Sequence, residues 1–116
     1  MATLTRQAIA ASGTAITHAV PSATTMGADK CPPGDHTFVW VKNGSGSSIT
    51  FKVNDPNSVA PAGSVGFDPD ISVTIAAGAE KLVGPLPATR FADPSDGLVQ
   101  LQSSATTSIG IACVTT

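Results

Sequence analysis

Short β-branched runs with a two-residue alternation, separated by glycine and proline, constrain this chain more than any other feature. Ile49, Phe51 and Val53 alternate with Thr50 and Lys52, and Ile71, Val73 and Ile75 alternate with Ser72 and Thr74. Ile109, Ile111 and Cys113 alternate with Ser108, Gly110 and Ala112. Successive side chains of a strand point to opposite faces, so each run describes a strand with one buried and one wet face.

Further strands follow from composition and from the breaks between runs. Residues 36–41, from His36 to Val41, are apolar on both faces, which places them centrally or at a contact surface. Residues 98–102 read as another strand with Val99 and Leu101 inward, and residues 80–83 as a short one. Residues 43–47 (Asn-Gly-Ser-Gly-Ser) are expected to close a hairpin, residues 76–79 a tight reversal, and residues 103–107 to join the last two strands. Pro56, Pro85, Pro87 and Pro94 break most other opportunities for a long element. Residues 5–11 alone could be briefly helical, but their neighbours favour a strand or an extended arm.

Seven or eight short strands in 116 residues imply one all-β domain, an antiparallel β-sandwich of jelly-roll or immunoglobulin-like type. Its expected core is Phe38, Trp40, Ile49, Phe51, Val53, Ile71, Val73, Ile75, Val99, Leu101, Ile109 and Ile111. Residues 1–20 form an N-terminal arm or a first strand, and residues 21–116 the sandwich. Residues 18–35, with Pro21, Gly27, Pro32, Pro33 and Gly34, read as a long loop, which in a compact domain is usually functional or held by a neighbour.

Charge argues against several function classes. The net charge is -2, and Arg6, Lys30, Lys42, Lys52, Lys81 and Arg90 are scattered, so no footprint for nucleic acid is expected. No apolar run approaches the roughly 20 residues of a membrane-spanning helix. The first residues hold no continuous hydrophobic segment of the kind a signal peptide carries, so folding in the cytoplasm is expected. In that reducing setting Cys31 and Cys113, 82 positions apart (113 minus 31), are expected to be buried free thiols rather than a disulfide.

Catalytic and metal chemistry finds little to work with. His18 and His36 are the only histidines, and neither has a second histidine nearby. Asp68 with Asp70, and Asp93 with Asp96, could contribute oxygen ligands, but Asp beside Pro and Gly is ordinary turn chemistry. No nucleophile elbow appears, and Gly44 with Gly46 lacks the third glycine and the helix of a dinucleotide site. No catalytic residue, cofactor or metal is therefore expected. Trp40, the one tryptophan, is expected in the core or, second, in a subunit interface.

Residues 71–87 run strand, Ala77-Gly78 turn, strand, and then Gly84-Pro85-Leu86-Pro87. Together with Val41-Lys42-Asn43-Gly44, residues 49–53, Phe91 and Asp96-Gly97, this pattern resembles small virion proteins of tailed bacteriophages, most of all capsid decoration (cement) proteins. The resemblance covers residues from about 36 to 116; the 18–35 loop and the two cysteines are not part of it. It implies a non-enzymatic protein made in the bacterial cytoplasm that binds the outer capsid surface. Its partners would be the major capsid protein and neighbouring copies of itself, a trimer being one arrangement, with neither nucleic acid nor membrane involved. A head–tail or tail component is the alternative within that class.

Leu4, Ile9, Ile16, Val20 and Met26 stand alone in small, polar surroundings, which points to ordering against a partner. They are the expected capsid or subunit contacts, with the arm adding strand hydrogen bonds along an exposed sheet edge. The plainer alternative is that residues 3–9 are simply the first strand of the sandwich. The rival from another class, a secreted carbohydrate-binding or adhesin-like sandwich, should show exposed aromatics, yet the chain has no Tyr and one Trp.

Overall fold

The computed structural model describes residues 2–57 and 69–116. Among the described residues nine strands form: β1 (Ala2–Thr3), β2 (Arg6–Ala8), β3 (Asp29–Cys31), β4 (Thr37–Asn43), β5 (Ile49–Val53), β6 (Ile71–Ile75), β7 (Glu80–Val83), β8 (Val99–Ser103) and β9 (Ile109–Thr115). One sheet has the order β1-β3-β8-β5-β6 and the other β2-β9-β4-β7. The chain is an all-β sandwich, antiparallel except where β1 runs parallel to β3 and β2 parallel to β9.

The inward rows of both sheets meet in one core. Phe51, Val53, Ile75, Val99 and Leu101 come from the five-stranded sheet, and Val39, Val41, Ile109, Ile111 and Cys113 from the four-stranded one. Leu86 and Phe91 close one part of it from the β7–β8 connection. Phe91 lies on a single helical turn, α1 (Ala88–Phe91), which the sequence reading did not foresee; Pro87 precedes it, in an extended conformation that does not continue the turn backwards.

The core expectation fails on β4. Phe38 and Trp40 are half-buried on the outer face, whereas Val39 and Val41 are fully enclosed. Alternation could not choose between two apolar faces, but Asn43 does. Its buried amide donates to the carbonyls of Ser47 (2.8 Å), Ile75 (3.0 Å) and Ala76 (3.2 Å), and its Oδ1 accepts from the Ser45 amide and hydroxyl. Asn43 must face inward to reach the end of β6, so Val41, Val39 and Thr37 face inward with it.

The expected hairpin at residues 43–47 is also absent. β4 and β5 belong to different sheets, as do β6 and β7 and likewise β8 and β9. Every link except that between β5 and β6 therefore crosses the sandwich. Glycine and serine allow a chain to turn, but where it turns to is decided by partners, here the Asn43 amide bridging the two sheets. The presumed 18–35 loop likewise contains β3, which pairs with β8 through Asp29↔Leu101 and Cys31↔Val99. Asp29 is buried and its carboxylate accepts from the Ser22 amide (3.0 Å) and hydroxyl (2.8 Å), tying down the segment before the strand.

The N-terminal residues divide between the sheets. β1 adds to the edge of one and β2 to the edge of the other, with Leu4 between them only 8% exposed in the core. The first residues are thus woven into both sheets by backbone pairing.

Candidate functional site

The outer face of the four-stranded sheet is built by the chain folding back over its own edge. After β2, the Ile9 amide donates to the Thr115 carbonyl (2.9 Å) and the chain reverses at Gly13, whose φ of 94° suits glycine. The returning segment is held by Gln7. Its side-chain amide donates to the Thr17 carbonyl (2.8 Å) and accepts from the Thr17 amide (2.9 Å), as a neighbouring strand would. Ala19 then exchanges two 2.8 Å hydrogen bonds with Ile111, continuing the edge that β2 began.

This return places His18 on the sheet. Its ring meets Trp40 edge-on, with centroids 4.7 Å apart and planes at 77°, and its Nε2 is buried without a hydrogen-bond partner. Gly110 makes the contact possible, since a Cβ there would stand 3.1 Å from that of His18. Burial holds the imidazole below its ordinary pKa, as does the Lys42 charge, while Glu80 pulls the other way. Trp40 is fixed from its other end, its indole Nε1 donating to Glu80 Oε1 at 2.8 Å.

Between the folded-back arm and β7 lies an apolar groove of about 340 Å³. Ile9, Ile16, Trp40, Leu82 and Val114 line it, with Glu80 and Lys81 at its border. Ile9 is 51% and Leu82 62% exposed, so large apolar side chains gather at the surface here rather than standing singly. β7 is also the outer strand of its sheet, so its far edge is unpaired within the described residues.

The structure sorts the five expected contact residues into different surroundings. Ile9 and Ile16 come together in the groove. Val20 is 64% exposed just beyond the Ala19 bridge, Met26 is half-buried in the bends before β3, and Leu4 is enclosed in the core. Trp40 is expected in the core first and in a subunit interface second, and Leu82 is not among the expected contacts, since Glu80-Lys81-Leu82-Val83 has no alternation to mark it as outward.

Several carboxylates elsewhere are engaged in shaping turns. Asp93 accepts from the Ser95 amide (2.8 Å) and hydroxyl (2.7 Å) and from Gln100 (2.8 Å), and Asp96 pairs with Lys30 at 2.6 Å while capping the Leu98 amide. Those hydrogen bonds hold both carboxyls below their ordinary pKa. Asp70 accepts from the Asp55 amide (2.9 Å), and Asp55, buried, takes the Arg90 guanidinium; Asp68 lies outside the described residues. His36 is exposed at the start of β4. Among the described residues no three His, Cys, Asp or Glu side chains gather as a metal would require. The arrangement offers an apolar, rigidly backed surface, which is suited to docking. Compared with known protein families, curated proteins and solved structures, the chain matches none.

Proposed function

We propose that this protein is a non-enzymatic structural component of a tailed-phage virion that docks on the outer capsid surface and reinforces the shell. The groove of Ile9, Ile16, Trp40 and Leu82 carries the reading, because it sets large apolar side chains in solvent on a braced sheet. A protein present in many copies needs only a modest contact at each, because neighbouring contacts retain every copy. The major capsid protein and adjacent copies of the chain are the partners in this reading. The strand orders β3-β8-β5-β6 and β2-β9-β4-β7, in which every link but β5–β6 crosses between the sheets, favour the jelly-roll description over the immunoglobulin-like one, which needs same-sheet hairpins.

A carbohydrate-binding role would need Trp40 as a stacking platform, yet His18 already packs against its ring and Glu80 holds its N–H. The test is co-sedimentation with expanded shells of the phage that encodes the chain. Wild-type protein should pellet with the shells, and Ile9→Asp and Leu82→Asp should each bind at least about tenfold more weakly while keeping a β-rich spectrum. Absence of wild-type binding overturns the proposal; undiminished binding by both variants moves the contact away from the groove.

A further inference from the structure

The two cysteines, far apart in sequence, face each other across the sandwich. Cys31 points inward from β3 of the five-stranded sheet and Cys113 inward from β9 of the four-stranded sheet, and both are 0% exposed. Both belong to the same core cluster, and each thiol acts directly on the ionisation of the other. Both are free and buried here, each beside the other rather than standing as an isolated small hydrophobe.

We propose that Cys31 and Cys113 are an oxidation site, converting to an inter-sheet disulfide when the chain meets a disulfide oxidant such as oxidised glutathione. Three features of the structure support it. The thiols already share one core, facing inward from the two sheets and acting on each other, so no strand has to change sheets. The strands that carry them are both tied into the core, β3 by pairing with β8 and β9 by pairing with β4. Cys113 also borders a cleft of about 420 Å³, between the arm at Thr3, Leu4 and Thr5 and strand β9, through which a small reagent can approach.

Position assigns the first step, because Cys113 and not Cys31 lines the cleft. The neighbouring Cys113 thiol, and then burial, push the Cys31 thiol up, whereas the Cys31 thiol, with the Arg6 charge assisting, draws Cys113 down against its own burial. Cys113 is therefore the sulfur that meets the oxidant first. Its thiolate attacks one sulfur of the oxidant disulfide, breaking that S–S bond and releasing one oxidant thiolate. Cys31, after losing its proton, attacks the Cys113 sulfur of the mixed disulfide and releases the second. The balance is one protein dithiol and one oxidant disulfide giving one protein disulfide and two oxidant thiols. The product closes a loop spanning 82 positions (113 minus 31) and fastens the two sheets to each other.

The decisive measurement is the mass of the full chain, unfolded in urea, refolded in a glutathione redox buffer and alkylated with N-ethylmaleimide under denaturing, non-reducing conditions. Refolding removes any dependence on reagent access to a buried thiol. A monomer carrying no label, two hydrogens lighter than the reduced chain, is the expected result. It should keep the far-UV spectrum of the reduced protein and melt roughly 10 °C or more higher. Two labels per chain, a stable glutathione adduct, a cross-linked dimer, or an oxidised monomer that has lost its β spectrum each overturns the proposal. Cys31→Ser refolded alongside should take one label at Cys113, which distinguishes oxidation from a failure of alkylation.

Discussion

Asn43 determines more of this fold than any apolar residue of β4. Its amide reaches one carbonyl in the β4–β5 connection and two at the end of β6 in the facing sheet, and its oxygen takes both donors of Ser45, so one buried side chain holds the crossing between β4 and β5 and the end of β6. Removing it leaves buried carbonyls without donors, each at a cost of about 1–3 kcal/mol. Asn43→Ala should therefore lower unfolding stability by about 2–4 kcal/mol, read from the urea midpoint at unchanged slope. Asn43→Asp should not restore it, because a carboxylate keeps the acceptors but faces three carbonyls. His18 gives a second expectation at this scale. Its folded pKa lies below the ordinary value of 6.5, so the folded state prefers the neutral ring. The resulting stability is complete above pH 6.5 and is lost as pH falls through the lowered folded value. A urea midpoint that declines below pH 6.5 in the wild type, and declines less in His18→Asn, is the expected pattern. Equal declines in both would remove His18 from the account.

At the scale of elements, the strands were legible and their connections were not. Alternation over residues 49–53, 71–75 and 109–113 identified β5, β6 and the start of β9, because period two is a property of the strand itself. A Gly-Ser turn, by contrast, looks the same whether the chain pairs with the strand it has left or crosses to another sheet. β3 was hidden for the same reason. Three residues, Asp-Lys-Cys, carry no pattern of their own, and the strand exists through pairing with β8. Half of the groove could be foreseen: Ile9 and Ile16 stood out as lone apolar residues, whereas Trp40 and Leu82 needed the register Trp40↔Leu82 between β4 and β7 to be seen side by side. The folded-back arm provides the test for this scale. Gln7 replaces a strand by a single amide, so Gln7→Ala should release residues 14–18 while leaving the sheets intact. Hydrogen exchange at the Thr17 amide should speed up by at least tenfold, with global stability reduced by no more than about 1 kcal/mol. A loss comparable to that of Asn43→Ala would make the return segment part of the core instead.

For the molecule as a whole, the crossing connections matter more than the number of strands. With every link but β5–β6 passing between sheets, neither sheet is formed from a contiguous stretch of chain, and neither can bury its inner row without the other. β1 and β2 extend this to the N-terminus, one in each sheet, with Leu4 enclosed between them. Pairings between residues so far apart in sequence place the chain among slow, non-local folders, in the range of milliseconds to seconds. They also leave no subset of strands that could persist alone, so unfolding should be a single cooperative step. Trp40, the one tryptophan, reports from the outer face of the four-stranded sheet, while the far-UV signal reports from both sheets. Fluorescence and circular dichroism should therefore give coincident urea transitions in the reduced protein. If Trp40 fluorescence changes at clearly lower urea than the dichroism, the four-stranded sheet opens first and the two sheets do not share one cooperative core.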